Sequence, residues 1–214
     1  MPASAWLRQL QQDCAIAVVR APDFESGRQM AHAVASGGIA HVEIAWNGAS
    51  PVELIGRLRS ELPECWIGAG TLLNAAQLQT AIVAGAQFLF APHVDAAAIR
   101  SALAAEVPIV PGALSPTEIV TAWQQGATAV KVFPIQAVGG SRYVQSLQGP
   151  LGQIPLVPTG GITAEEGRAL LEAGAVAVGL SSQLFPADRL EAGDWDAIAQ
   201  KARQVHATLL GQSR

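Results

Sequence analysis

Residues 155–180, PLVPTGGITAEEGRALLEAGAVAVGL, contain two short apolar runs separated by a segment of helical character. We predict strands at 155–159 and 175–180, because strands that are covered on both faces of a parallel sheet are apolar almost throughout. Thr163, with a glutamate three residues later, forms a capping box that starts a helix, and Gly174 is placed to end that helix. The stretch therefore predicts one strand–helix–strand unit with parallel strands.

The same spacing continues over the rest of the chain. Six further apolar runs predict strands at 15–19, 41–46, 66–70, 87–91, 107–111 and 129–133. Each interval between run starts leaves room for one helix and two short loops. Eight such units predict an α/β fold, namely a single (β/α)8 TIM barrel domain over residues 1–214 with an extra N-terminal helix near residues 5–13. A doubly wound open sheet is the competing fold, but no G-x-G-x-x-G follows the first strand.

Two serines predict further helix starts of the same kind. Ser50 and Ser115 are each followed by a proline and, at the third position, by a glutamate. A serine with this spacing to glutamate is the pattern of a capping box, and proline is favoured at the first helical position. We therefore expect both serines to cap a helix with their side chains.

The composition excludes several classes of protein. Of the 214 residues, 50% are hydrophobic and only 14% are charged, which is too apolar for a disordered chain. The formal net charge of −4 provides no basic surface for nucleic acid. No uncharged stretch has the roughly 20 mostly apolar residues of a membrane helix, and no signal peptide is evident at the N-terminus. Cys14 and Cys65 are too few for a disulfide framework, so we expect a cytoplasmic protein.

One lysine stands in the middle of a predicted strand, in the run Ala-Val-Lys-Val-Phe at 129–133. Alternate residues of a barrel strand point inward, so Lys131 faces the interior, and by the same parity Glu43 points inward from the second strand. Burial disfavours the charged ammonium, and a neutral amine attacks carbonyl carbon to form a Schiff base. We therefore favour a nucleophilic Lys131 with Glu43 as the group that moves protons, over an ion pair that only stabilises the core.

Two loops of the predicted barrel are suited to an anion. The Thr-Gly-Gly segment 159–161 precedes a helix start after the seventh strand, and the serine pair 181–182 follows the eighth. Glycines let backbone N–H groups approach an anion, and many barrels bind phosphate after these two strands. Arg20 ends the first strand, where it either binds a carboxylate or phosphate or lies in solvent, and Thr71 adds a hydroxyl after the third.

Taken together, the order and spacing of these motifs resemble those of the 2-keto-3-deoxy-6-phosphogluconate and 4-hydroxy-2-oxoglutarate aldolases, which are class I enzymes on a (β/α)8 barrel. The likeness covers nearly the whole chain. Its segments are Val42-Glu43-Ile44, Gly68-Ala69-Gly70-Thr71, Ala91-Pro92, Val110-Pro111-Gly112, Val130-Lys131-Val132-Phe133-Pro134, Gly139-Gly140, Pro158-Thr159-Gly160-Gly161-Ile162 and the stretch from Pro186 to Asp194.

The resemblance implies an aldolase of the Entner–Doudoroff pathway that cleaves the phosphogluconate derivative to pyruvate and glyceraldehyde 3-phosphate. It implies that Lys131 forms the Schiff base with the 2-keto carbon and that Glu43 is the acid/base. The implied substrate contacts are Thr71, Pro92 and Phe133 for the pyruvate half and Thr159, Gly160, Gly161, Ser181 and Ser182 for the phosphate. It further implies a homotrimer that binds small-molecule substrates and needs neither a metal nor another cofactor.

Asn47 departs from the gluconate-type enzymes, which usually have an arginine for the substrate carboxylate at this position. Enzymes for the galactonate epimer resemble this chain here, so the epimer stays open, and Arg20 becomes the candidate for the carboxylate. Two further functions stay open on the residues alone. A phosphate-binding isomerase or synthase would share the 159–161 site without a nucleophilic amine, and a non-catalytic barrel would bind sugar phosphates without releasing pyruvate. The same enamine chemistry is also compatible with oxaloacetate decarboxylation.

Overall fold

The computed structural model describes residues 3–212, so the ends of the predicted 1–214 domain lie outside the described part. The strands there are β1 (Ala15–Val19), β2 (His41–Ala45), β3 (Trp66–Gly70), β4 (Leu89–Phe90), β5 (Ile109–Val110), β6 (Gly112–Ala113), β7 (Val130–Val132), β8 (Leu156–Pro158) and β9 (Val178–Leu180). The α-helices are α1 (Ala3–Asp13), α2 (Phe24–Ser36), α3 (Pro51–Glu61), α4 (Ala75–Val83), α5 (Ala96–Ala104), α6 (Pro116–Gln124), α7 (Ser141–Leu151), α8 (Ala164–Glu172), α9 (Ala187–Ala192) and α10 (Trp195–Leu209). Across residues 3–212, no helix is both long and apolar enough to span a membrane.

Every strand pair is parallel, which confirms the predicted α/β class. Six strands form one curved sheet in the order β5-β4-β3-β2-β1-β9, and three form a second in the order β6-β7-β8. Backbone hydrogen bonds also connect the two sheets. Val176 N–H, just before β9, donates to Leu156 O in β8 at 3.0 Å, and Thr128 N–H, just before β7, donates to Ile109 O in β5 at 2.9 Å. The strands therefore meet with their C-terminal ends on one side of the molecule.

The predicted strand at 107–111 is present but shortened to β5. The sequence did not predict the second short strand, β6, which follows after Pro111. Proline has no N–H to donate to a ladder, so regular pairing stops there. Strand β5 pairs with β4 and β6 pairs with β7, so this break is the boundary between the two sheets. The other predicted strands are present, several of them shortened at their ends.

Two of the three capping boxes predicted from the sequence are present in the structure. Ser115 and Thr163 both form complete capping boxes, as predicted. Ser50 does not, because its backbone is left-handed at φ 48° and its side chain makes no capping hydrogen bond. A capping side chain reaches the first turn from an extended backbone, and the turn before α3 does not provide one.

Apolar side chains form two layers on either side of the strands. The larger layer packs between strands and helices. The smaller one lies inside the curve of the sheets and consists of Trp6, Leu10, Ile16, Phe88, Phe90, Val110, Ala129, Val157 and Ala177. Its members from α1 fill the end where the strands begin, since the Trp6 ring contacts His41 at the start of β2 and Phe88 beside β4. A cavity that opens to solvent is therefore left to the opposite end, where the strands finish.

Candidate active site

A cavity of about 380 Å³ opens at the C-terminal ends of the strands. Every predicted site residue except Asn47 lines it, namely Arg20, Glu43, Thr71, Pro92, Lys131, Phe133, Thr159, Gly160, Gly161, Ser181 and Ser182. Sequence reasoning missed three lining residues: Val18, Ile162 and Gly179. The inward parity of β1 was a sufficient signal for Val18, because Ile16 in the same strand points into the inner core.

Lys131 lies in the middle of β7, and its flanking valines 130 and 132 are fully buried against the helices. The lysine itself is 6% exposed. Its Nζ lies 4.9 Å from the ring centroid of Phe133 and 5.8 Å from that of Phe90. Within the part of the chain that the structure describes, Nζ has no carboxylate at ion-pair distance. A buried amine without an ion pair is available as a nucleophile.

Glu43 lies in the middle of β2 and is 1% exposed. Among residues 3–212, no group forms a hydrogen bond with its Oε1 atom. Burial raises the pKa of Glu43, while the positive charges of Lys131 and Arg20 act in the opposite direction. A carboxyl group that is unpartnered on one oxygen and holds its proton to higher pH is suited to general acid/base work. It lines the same cavity as the amine of Lys131.

Gly70 at the end of β3 provides the space that the Glu43 carboxyl group occupies. Strands β2 and β3 pair in register, with Ala45 opposite Gly70. A Cβ atom added at Gly70 would overlap the Glu43 side chain at Oε1. Any side chain at this position would therefore displace the carboxyl group, which makes Gly70 a positioning residue for Glu43.

We expect Gly70→Ala to lower kcat on the order of 10²-fold, the scale of losing a correctly placed acid/base. The methyl group and the Glu43 carboxyl group compete for one position, so the carboxyl group moves. Steady-state kinetics measures the loss, and thermal melting by circular dichroism shows whether the variant folds. Gly149→Ala is the matched control, because a Cβ atom at this position in α7 meets nothing within 4 Å. A Gly70→Ala kcat equal to that of this control would contradict the assignment.

Thr71 follows β3 with its backbone in the left-handed region, at φ 59°. This conformation is unfavourable for a β-branched residue and is found mainly where function requires it. The turn places Thr71 in the cavity lining. Its hydroxyl group is therefore a candidate donor to the substrate.

Two loops form the polar side of the cavity. The glycine loop (Gly160–Gly161) has φ values of 109° and 68° and immediately precedes α8. The serine loop (Ser181–Ser182) follows β9, and Ser181 Oγ donates to Val18 O at 3.2 Å. An isolated parallel β-bridge between Thr159 and Gly179, which lie just before the two loops, holds the loops next to each other. The backbone and hydroxyl groups of both loops then line one space, which is an arrangement suited to anions.

Arg20 lines the cavity, whereas Asn47 lies outside it and contacts Arg20 instead. Arg20 Nε donates to Asn47 Oδ1 at 3.0 Å. Both side chains are exposed, as expected at the rim of a site. The pair joins the end of β1 to the turn after β2.

Comparisons with known proteins agree on one family. The family model "Aldolase: KDPG and KHG aldolase" matches residues 7–201. The KHG/KDPG aldolase of Escherichia coli K12 is 34% identical over 190 residues, which is 89% of each chain. A Legionella pneumophila KDPG aldolase, solved with pyruvate captured as a covalent carbinolamine intermediate, matches with TM-score 0.85 and 25% identity, covering 92% of this chain and 95% of the other. A native KDPGal structure matches with TM-score 0.80 and 28% identity, covering 92% and 93%.

Proposed function

Because this chain belongs to the KDPG and KHG aldolase family, we propose that it cleaves 2-keto-3-deoxy-6-phosphogluconate to pyruvate and glyceraldehyde 3-phosphate. It is a lyase that works through a Schiff base, and 4-hydroxy-2-oxoglutarate is its second substrate, giving pyruvate and glyoxylate. One observation carries the residue roles. The unpaired buried amine of Lys131 and the unpartnered carboxyl oxygen of Glu43 line the same cavity.

Schiff-base formation starts with attack of the neutral Lys131 amine on the C2 carbonyl carbon. The carbonyl oxygen takes up a proton, and the resulting carbinolamine loses water to give a protonated imine. Glu43 supplies and removes these protons, since it lines the same cavity and burial raises its pKa above the ordinary value, so that it holds a proton more readily. The aromatic rings of Phe90 and Phe133 beside Nζ favour the cationic imine through cation–π attraction.

Cleavage of the C3–C4 bond follows from the same imine. Glu43 takes the proton of the C4 hydroxyl group, the C4 oxygen becomes the aldehyde, and the bonding electron pair moves into the imine as an enamine. Protonation of C3 returns the imine of pyruvate, and water then releases pyruvate and the free Lys131. No external oxidant or reductant is needed, so the cycle balances within the protein and its substrate.

A pyruvate-release assay tests the proposal with three substrates: the phosphogluconate derivative, its galactonate epimer and 4-hydroxy-2-oxoglutarate. We expect the phosphogluconate derivative to give the highest kcat/KM. The galactonate epimer is the alternative substrate, favoured by Asn47 in place of an arginine and by the KDPGal structural relative. A higher kcat/KM for the epimer would change the substrate assignment. Absence of pyruvate with all three would contradict the proposed reaction.

We further propose a closed (β/α)8 barrel in one domain over residues 1–214, in which β5 and β6 together act as the fifth strand. The hydrogen bonds between the two sheets support closure. The resemblance also supports a homotrimer, and exposed apolar side chains such as Leu73, Val83 and Trp123 are surfaces that subunit contacts would cover. Free thiols at Cys14 and Cys65 agree with a reducing cytoplasm.

A further inference from the structure

The contact of Asn47 with Arg20 restricts how Arg20 can bind an anion. A guanidinium group is planar and carries five N–H donors in a fixed arrangement, so a partner on Nε determines where the other four point. Asn47 Oδ1 is that partner. Among residues 3–212, no group accepts a hydrogen bond from the two terminal nitrogens of Arg20. These nitrogens are left for an anion that binds end-on, with two oxygens facing two nitrogens.

Backbone contacts keep Asn47 beside Arg20. Ala49 N–H donates to Ala21 O at 3.0 Å, so the turn after β2 is bonded to the residue that follows Arg20. A Cβ atom added at Gly48 would lie 3.3 Å from both the backbone N and O of Ala21, so the two segments are in close contact. The backbone therefore holds Asn47 and Arg20 on adjacent segments, within hydrogen-bonding reach of each other.

Arg20 is also adjacent to the loops suited to phosphate. Strand β1, which ends just before Arg20, pairs with β9, and Ser181 donates to Val18 O at 3.2 Å. The β-bridge between Thr159 and Gly179 places the glycine loop on the other side of the serine loop. The glycine loop, the serine loop and Arg20 thus lie on three consecutive strands at one side of the cavity.

Charge favours phosphate over carboxylate as the group that Arg20 binds. Arg20 and Lys131 are the cationic side chains of the cavity lining, and Lys131 must be neutral when it attacks. A phosphate monoester carries about −1.5 to −2 charges at neutral pH, while the two loops supply only dipoles. The substrate carboxylate is bonded directly to the carbon that Lys131 attacks, whereas the phosphate is at the far end of the substrate. In the order β7, β8, β9, β1, Arg20 is three strands from Lys131.

We propose that Asn47 is a positioning residue that directs Arg20 at the substrate phosphate, beside the glycine and serine loops. The inference rests on the proposed aldolase function and deepens it. It replaces the carboxylate role that the sequence suggested for Arg20. It also gives Asn47 a function through Arg20 instead of direct contact with the substrate.

The test compares two probes in Asn47→Ala, Arg20→Ala and the double variant. The first probe is the KM for the phosphogluconate substrate. The second is the pyruvate concentration that gives half-maximal borohydride labelling of Lys131, because pyruvate has the carboxylate but no phosphate. We expect Asn47→Ala to raise KM about tenfold with little change in kcat, the scale of one hydrogen bond to a charged group. Half-maximal labelling by pyruvate stays at the wild-type concentration. The double variant matches Arg20→Ala, because Asn47 acts through Arg20.

Arg8→Ala is the matched control for the loss of one positive charge. Arg8 is exposed in α1, at the opposite end of the strands, and its loss leaves both probes unchanged. An unchanged KM in Asn47→Ala, additive effects in the double variant, or an equal shift in the pyruvate probe would each overturn the proposal. Labelling of Lys131 in every variant separates these outcomes from a failure of the aldolase function, which would abolish labelling altogether.

Discussion

Lys131→Ala is expected to lower pyruvate release by at least about 10³-fold, because the variant has no nucleophile to form the Schiff base. Borohydride added with pyruvate is expected to attach a stable adduct to Lys131 in the wild-type protein and to leave the variant unlabelled. Peptide mass spectrometry locates the adduct. Lys131→Met, which retains more of the side-chain volume, provides a second variant if the alanine protein is unstable.

Lys201 is the matched control for the labelling experiment. It is the one other lysine in the sequence and lies in α10, away from the cavity. Lys201→Ala should therefore keep both the activity and the adduct. An adduct on Lys201, or full activity without Lys131, would exclude the Schiff-base mechanism proposed for this cavity.

Glu43→Gln is expected to lower kcat on the order of 10²-fold or more, because the amide keeps the shape of the side chain but cannot transfer the protons. Steady-state kinetics with the phosphogluconate substrate measures the effect. Glu53→Gln, at an exposed position in the first turn of α3, is the matched control and should keep wild-type kcat. Equal rates in the two variants would remove Glu43 from the mechanism.

Glu43→Gln is also expected to change how the stability of the folded protein depends on pH. Burial raises the pKa of Glu43 above the ordinary value of 4.5, so the folded protein holds this proton more tightly than the unfolded chain. The stability associated with the protonated form is present below pH 4.5 and is lost as pH rises through the folded-state pKa. Glutamine has no carboxyl proton to release, so Glu43→Gln does not lose this stability as pH rises. We expect its Tm to rise relative to wild type between pH 4 and pH 8, and a Tm difference independent of pH would contradict a raised pKa.

Local patterns in the sequence were sufficient for much of the fold. The alternation of apolar runs and caps predicted the α/β class, and the period-two parity of strands turned Glu43 and Lys131 inward. The capping boxes at Ser115 and Thr163 were correct for the same reason, since a cap involves only neighbours along the chain. At Ser50 the same pattern was wrong, because the turn after β2 is shaped by its contacts with the segment after β1.

The sequence by itself determined which residue types reach the open end of the strands: an amine, a carboxyl group, two loops suited to anions and an arginine. Only the tertiary structure decided how they meet. Within the described residues 3–212, it leaves Lys131 without an ion pair and one oxygen of Glu43 without a partner. It also places that carboxyl group against Gly70 and joins Asn47 to Arg20. The physical reason is that parity and capping are local properties of the chain. Contacts between distant strands depend on the register and curvature that all the strands adopt together.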